Sequence, residues 1–199
     1  MPTEFKGAVK VDAFALEERQ DLAARIGVIS SLWAQIEDEL ALIFAYALNT
    51  MPAIATATLG NVFSVPTKLN MLHTALELRF PEDVVAPFLK LKKRTRTTAK
   101  TRAWVIHAAW TIHADHPNAL IRCAGITDPR LGMLIYTRRD FVEIEMQLLQ
   151  LHIDLRKYGQ SLATSRELTV EERMQKYWSL TGLQPPSDAT SDQTGQDED

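Results

Sequence analysis

The sequence predicts a mostly α-helical protein, in which two long helices form a bundle that carries one small β-hairpin. Two long segments, one near each end of the chain, repeat apolar residues at alternating spacings of three and four, as helices with one buried face do. Between them, two short β-rich segments flank a turn sequence. A chain of 199 residues with 46% hydrophobic and 24% charged residues has the size and composition of one folded domain.

The first long helix is predicted over residues 15–48. Pro52 ends it, because the residue before a proline is disfavoured in the helical conformation. Its buried stripe consists of eight apolar residues: Leu22, Ile26, Ile29, Trp33, Ile36, Leu40, Ile43 and Ala47. The same helix carries Glu37, Asp38 and Glu39, which we interpret as an exposed acidic patch or as partners of the basic helix described below.

Three helices are predicted in the middle of the chain. Residues 53–60 and 65–80 have the composition of short helices, and Pro66 is tolerated in the first turn of the second one. A longer helix should then run from residue 81 to about residue 111. Pro87 inside it removes one backbone hydrogen bond, so we expect a bend there.

The hairpin and the second long helix follow. Segments 119–125 and 132–137 are predicted as the two strands, joined by a turn at residues 127–130. Thr137, with Asp140 three residues later, forms a capping box that begins the second long helix. The buried stripe of that helix contains Phe141, Ile144, Leu148, Leu151, Leu155, Tyr158 and Leu162. We expect the two long helices to pack against each other in antiparallel directions.

These elements define one helical domain over residues 15–182, with an N-terminal extension over 1–14 and a tail over 183–199. A capping box at Thr169 begins the last short helix of the domain, over residues 169–180. The tail has no apolar face and is predicted to be disordered. It contains five acidic residues and no cation: Asp188, Asp192, Asp197, Glu198 and Asp199. Removing these five charges from the net charge of −3 leaves +2 for the rest of the chain.

Several classes of protein are excluded by composition. The single cysteine, Cys123, rules out an internal disulfide framework and a zinc site made of cysteines alone. No apolar run reaches the ~18–20 residues of a membrane helix, and the N-terminus lacks the apolar region of a secretory signal. We therefore predict a cytoplasmic protein with no membrane partner.

A cluster of cations marks the longer middle helix as a candidate binding surface. Seven cations lie in thirteen residues: Lys90, Lys92, Lys93, Arg94, Arg96, Lys100 and Arg102. No acidic residue occurs between Asp83 and Asp115. Cations this close repel one another along a helix, so an anionic partner such as a phosphate backbone would stabilise it. A solvated helix face near acidic parts of the body is the alternative interpretation.

The cluster leads directly to Arg102 and His107, the two candidate catalytic residues. A histidine titrates near neutral pH, so it can take a proton from a ribose 2′-hydroxyl or give one to the leaving oxygen. An arginine offers a fork of donors that matches phosphate oxygens. Five residues on an ideal helix place these side chains about 140° apart, so a bend or a broad groove must bring them together. Alternatively, Arg102 is a solvated cation and His107 packs beside neighbouring tryptophans.

The Arg-x4-His motif, the basic stretch before it and the hairpin before the last long helix resemble the HEPN superfamily of bacterial helical bundles. The resemblance covers roughly residues 15–165, and Ala103 stands where the family usually has a polar side chain. It implies a HEPN-like fold and metal-independent cleavage of RNA at a homodimer cleft. His107 would be the general acid and base, and Arg102 would hold the scissile phosphate. The resemblance also implies a toxin or defence role with an antitoxin or inhibitor partner.

We therefore predict an RNA-binding homodimer that cleaves RNA with no metal ion and no cofactor. Lys92, Lys93, Arg96 and Lys100 would bind the RNA backbone. The alternative hypothesis is a non-catalytic, dimeric helical module that binds RNA or a protein partner. A metal site built on His107, His113, Asp115 and His116 is disfavoured, because these residues lack a recognised zinc-ligand spacing.

Overall fold

The computed structural model describes residues 2–7, 14–123 and 132–183, and it confirms the mostly α-helical class. Helices make up most of this part of the chain, and four short strands form one sheet. The elements, in chain order, are β1 (Thr3–Phe5), α1 (Ala15–Glu18), α2 (Gln20–Leu48), α3 (Pro52–Gly60), α4 (Val65–Arg79), α5 (Glu82–Ile106), β2 (Ala109–Thr111), β3 (Ala119–Cys123), β4 (Met133–Thr137), α6 (Arg138–Leu162) and α7 (Val170–Thr181).

The first long helix begins later than predicted. The chain leaves the helical conformation at Arg19, where φ is −121° and ψ is 58°, so residues 15–18 form a separate short helix. The Arg19 side chain donates a hydrogen bond to the Pro117 carbonyl oxygen at 2.5 Å and pairs with Asp21. Pro117 is 98 positions away in the chain, so the local apolar pattern of the segment did not indicate the break. At its other end α2 stops as predicted, at Asn49 with φ of 51°.

The two long helices, α2 and α6, pack against each other as expected, but they run parallel. Arg25 near the start of α2 pairs with Glu145 near the start of α6 at 2.6 Å. Further along both helices, Glu39 pairs with Arg156. The predicted antiparallel arrangement is therefore wrong. A heptad stripe specifies which face of a helix is buried, but it contains no information on the direction of the partner.

The intervening chain sets that direction. Helix α5 runs antiparallel to α6, since Tyr158 donates a hydrogen bond to the Val84 carbonyl oxygen and Arg94 pairs with Asp154. Because α5 returns the chain to the end of the bundle where α2 begins, α6 starts there and runs beside α2 in the same direction. The core lies among α2, α4, α5 and α6 and is filled by apolar side chains such as Phe88, which stacks on Tyr158.

The predicted hairpin is confirmed as β3 and β4, which pair antiparallel with Ile121 opposite Ile135. The sheet is larger than the hairpin, with the strand order β1-β4-β3-β2. Strand β1 comes from the N-terminal extension and pairs with β4. Three-residue strands such as β1 and β2 are too short to show an alternating pattern, so their partners decide their conformation. The predicted turn at 127–130 lies outside the described residues.

Capping residues begin α6 and α7 as predicted. The Thr137 backbone N–H donates to Asp140 Oδ2 at 2.9 Å, and Thr169 with Glu172 forms the equivalent box for α7. Within the described ranges no single helix has the length and hydrophobicity to cross a membrane, although α2 and α3, bent by 118°, meet that test as a pair. The predicted acidic tail, apart from Leu183, lies outside the described part of the chain.

Candidate nucleic-acid interface

Helix α5 presents two different faces along its second half. Its inward face follows a row of buried positions at Leu91, Thr95, Thr98 and Val105. Both threonines donate their hydroxyl hydrogens to carbonyl oxygens four residues earlier, at 2.8 and 2.9 Å. Such bonds allow these polar side chains to be buried without an unpaired donor.

The outer face of α5 consists of Lys92, Lys93, Arg96 and Lys100, which we call the basic face. At 100° per residue these four side chains fall within an arc of about 100°. None of them forms an ion pair with an acidic side chain of the described chain. The neighbouring Arg94 differs, because it pairs with Asp154 of α6 at 2.5 Å. The four predicted RNA-binding cations therefore share one surface and form no ion pair within residues 2–7, 14–123 and 132–183.

Crowding on this face affects the ionisation of Lys92. Partial burial lowers the pKa of the Lys92 ammonium, and the nearby Arg96 guanidinium lowers it further. The Glu77 carboxylate acts in the opposite direction with a smaller effect. A phosphate beside both side chains would offset the repulsion between Lys92 and Arg96, so an anion at this position is favoured electrostatically.

A groove of about 410 Å³ lies beside the basic face, between α5 and the start of α4. Val65, Pro66, Ala99 and Ala103 provide apolar lining, and Arg96 and Lys100 also line it. Ala103 occupies the motif position where HEPN proteins usually have a polar residue. Here a methyl group at that position extends the apolar lining.

Arg102 lies away from the basic face. It falls on the inward face of α5, between the buried residues Thr98 and Val105. This position is about 120° around the helix from Arg96. The side chain is partly buried, and its Nε is fully buried without a hydrogen-bond partner in the described residues. An inward arginine with an unpaired donor is costly for the fold, since an unsatisfied buried donor costs about 1–3 kcal/mol.

His107 lies just beyond the end of α5. The predicted helix to about residue 111 is wrong, because α5 ends at Ile106 and β2 begins at Ala109. Trp110 of β2 is buried and donates its indole N–H to the Val105 carbonyl oxygen at 3.3 Å, which satisfies one of the last carbonyls of the helix. His107 is left exposed at the helix end, where its backbone N–H bonds the Ala103 carbonyl oxygen.

No hydrogen bond joins Arg102 to His107 among the described residues. The Arg102 side chain is directed into the bundle, whereas the His107 side chain is exposed to solvent. A phosphate that contacts both would have to lie at the end of α5. Arg122 of β3 is a further cation at this end, with its guanidinium 5.5 Å from the centre of the Trp104 ring. Sequence reasoning missed Arg122, because it is distant in the chain and becomes a neighbour only through the sheet.

The other histidines near this end take part in packing. His113 and His116 both contact the Phe5 ring of β1, at centroid distances of 5.1 and 5.8 Å. Asp115 donates its backbone N–H to His113 Nδ1. The described residues contain no group of three or more His, Cys, Asp or Glu side chains arranged to hold a metal ion.

The predicted acidic patch on α2 is divided by the fold. Glu37 pairs with Lys68 of α4 at 2.9 Å, so its partner is on a different helix from the basic one. Glu39 is only 7% exposed, and its Oε1 lies 2.8 Å from Arg156 Nε and 3.2 Å from His152 Nε2. Placing Glu39 on an exposed patch was therefore wrong. This carboxylate cross-links the two parallel helices.

His73 of α4 provides a prediction about pH. Burial is the main reason why its pKa is lowered, and the charges of Lys92 and Lys176 add to the effect against the attraction of Glu77. The unfolded chain therefore binds this proton more readily, and the free energy of unfolding should fall as the pH drops below about 6.5. Urea unfolding should be measured at about pH 7.5 and about pH 5.5. The decrease in the free energy of unfolding between these two pH values should be smaller for His73→Gln than for the wild type. In the exposed control, His107→Gln, this decrease should be as large as in the wild type. Equal decreases in all three proteins would contradict a role of His73 in the pH dependence.

Fold and site together define a mostly α-helical protein with a basic face on α5 beside an apolar groove, in which the four cations form no ion pair with a described acidic side chain. Comparisons with protein-family models, with curated proteins and with solved structures found no match to this chain. The HEPN resemblance stays a prediction that rests on the motif and on the order of the elements.

Proposed function

We propose that this protein binds RNA along the basic face and cleaves it at the end of α5 without a metal ion. The observation that carries the proposal is that Lys92, Lys93, Arg96 and Lys100 lie on one helix face and form no ion pair with a described acidic side chain. Phosphates spaced along a single strand would neutralise these cations and release bound counterions, which is the main source of affinity for nucleic acids. The exposed imidazole of His107 follows two turns later in the chain.

In the proposed reaction, His107 takes the proton of a ribose 2′-hydroxyl. The 2′-oxygen forms a bond to the adjacent phosphorus, the bond from phosphorus to the 5′-oxygen breaks, and the His107 imidazolium gives the proton to that leaving oxygen. The products are a 2′,3′-cyclic phosphate and a 5′-hydroxyl. The terminal nitrogens of Arg102 would hold the phosphate, since its Nε is buried. RNA is present in the cytoplasm, which is where we place the protein.

The binding step can be tested with a charge-neutral variant, Lys93→Gln, Arg96→Gln and Lys100→Gln combined. For single-stranded RNA the logarithm of the binding constant falls with the logarithm of salt concentration by about 0.7 per phosphate contact. Binding of a mixed-sequence single-stranded RNA can be measured by fluorescence anisotropy at several salt concentrations. Because three cations are removed, the slope of the logarithm of the binding constant against the logarithm of salt concentration should be smaller by about 2 in the variant.

The matched control removes three cations elsewhere. Arg139, Arg166 and Arg173 have exposed side chains and lie far from the basic face in the chain, so their combined change to Gln alters the net charge equally. The control should keep the wild-type slope. Equal slopes for the wild type and the basic-face variant would contradict RNA binding at α5.

A second candidate function is that of a non-catalytic, dimeric helical module. Its partner would be a second copy of the chain or an antitoxin-like protein. Exposed apolar side chains on α2 and α6 favour it, because Val28, Leu42, Tyr46 and Leu149 are each about 40% exposed. The inward direction of Arg102 also favours it. This candidate predicts a dimer in sedimentation and no RNA turnover, whereas the leading proposal predicts both a dimer and turnover.

A further inference from the structure

The four cations of the basic face form no ion pair within the described residues, and the Glu77 carboxylate, which acts on Lys92, lies against His73. We propose that the acidic C-terminal segment, residues 184–199, binds back onto the basic face of the same molecule and competes with RNA for it. The contact itself does not depend on RNA binding. The competition rests on the proposed function.

Charge complementarity is the first argument. The segment carries Asp188, Asp192, Asp197, Glu198 and Asp199 and no cation, against the four cations of the basic face. The described chain supplies no ion-pair partner for those four, while the acids nearest to them in the fold have other partners. Asp154 pairs with Arg94, and Glu77 lies 3.4 Å from His73.

The path of α7 is the second argument. Leu168, just before α7, donates its backbone N–H to the Arg79 carbonyl oxygen at the end of α4. Eight residues later, Lys176 is near enough to His73, in the middle of α4, for its charge to lower the His73 pKa. Helix α7 therefore runs back along α4 toward the N-terminal end of α4.

This path points the end of the described chain toward the groove. Seven residues separate Lys176 from Leu183, and seven residues also separate His73 from Pro66, which lines the groove with Arg96 and Lys100. The charges of Lys92 on α5 and Lys176 on α7 both act on the His73 imidazole, so both side chains lie within electrostatic range of the middle of α4.

Chain length is the third argument. Each further residue spans at most ~3.3–3.6 Å, so Asp188 can lie up to about 17 Å from Leu183, and the end of the chain up to about 55 Å. Packed helices such as α4 and α5 lie 8–10 Å apart at their axes. A tether of this length keeps the acidic segment at a millimolar effective concentration near the basic face, which makes a weak contact competitive.

The first experiment detects the contact in the full chain without RNA. A water-soluble carbodiimide joins carboxylates directly to amines, and mass spectrometry identifies the linked peptides. We expect links from the acidic segment to Lys92, Lys93 or Lys100 within monomers. Links only to other lysines, or only between two copies, would overturn the proposal.

The second experiment measures the competition. A full-chain variant with Asp188, Asp192, Asp197 and Asp199 changed to Asn and Glu198 changed to Gln should bind single-stranded RNA about tenfold more tightly at low salt. The control neutralises five exposed carboxylates elsewhere: Glu17, Glu18, Asp38, Asp115 and Glu171. An equal gain in both variants would show an effect of net charge alone and would overturn the competition.

The two proposals fail in different ways. Carbodiimide links without any RNA binding would contradict the proposed function and support the intramolecular contact. RNA binding at the basic face with no such links, and with equal affinities for the wild type and the tail variant, would support the proposed function and overturn this inference.

Discussion

Changing His107 to alanine is expected to reduce RNA cleavage by about 10²–10⁴-fold in the presence of EDTA, while the fold stays intact. The imidazole lies beyond the end of α5 and is exposed, so its removal creates no cavity. The loss should appear in the rate of the chemical step, measured as single-turnover formation of 2′,3′-cyclic phosphate ends. Unchanged circular dichroism and mass in solution would confirm that the variant is folded.

One control variant and one further site variant test this prediction. His113→Ala removes another imidazole at the same end of the bundle and should retain cleavage. Arg102→Met removes a buried Nε that has no partner, so it should not lower the free energy of unfolding, yet it should abolish cleavage. A buried arginine that does not stabilise the fold is typical of a functional residue.

The contradicting results are equally specific. Cleavage by wild type and His107→Ala at the same rate would exclude His107 as the general acid and base. Absence of cleavage by the wild type and by every variant, together with a dimer that binds no RNA, would favour the interaction module. A loss of stability in Arg102→Met would mean that the arginine stabilises the fold.

Changing Glu39 to alanine is expected to lower the free energy of unfolding by about 2–3 kcal/mol, the largest stability effect that we predict for a single charged residue. Its buried carboxylate accepts hydrogen bonds from His152 and Arg156, and hydrogen bonds to charged groups contribute about 1.5–3 kcal/mol. The cost stays below the 3–5 kcal/mol of a fully buried pair, because the Arg156 side chain is 58% exposed and can be solvated in the variant.

Glu37 is the matched control, two residues away on the same helix. It also forms an ion pair, with Lys68, but its side chain is 40% exposed. Exposed pairs contribute about 0.2–1 kcal/mol, so Glu37→Ala should cost less than 1 kcal/mol. Urea unfolding of both variants gives the comparison. Equal costs would show that burial between α2 and α6 does not decide the contribution of Glu39.

The sequence by itself determined the class and most of the helical elements, because these depend on neighbouring residues. The apolar stripes predicted α2 and α6, the Thr137 and Thr169 capping boxes marked the starts of α6 and α7, and the β-rich segments predicted the hairpin. Each of these signals acts over one or two turns of chain. The sequence also placed the four basic residues on one helix, which the structure has as α5.

The tertiary structure alone decided the features that depend on distant partners. The parallel direction of α2 and α6 follows from the return path of α5, and the early end of α5 follows from the pairing of β2 with β3. The same holds for the candidate site. Arg102 is directed inward and Glu39 is buried because of which helices surround them, and Arg122 reaches Trp104 only through the sheet. Periodicity encodes which face of an element is apolar, whereas the identity and direction of its partner depend on contacts between residues far apart in the chain.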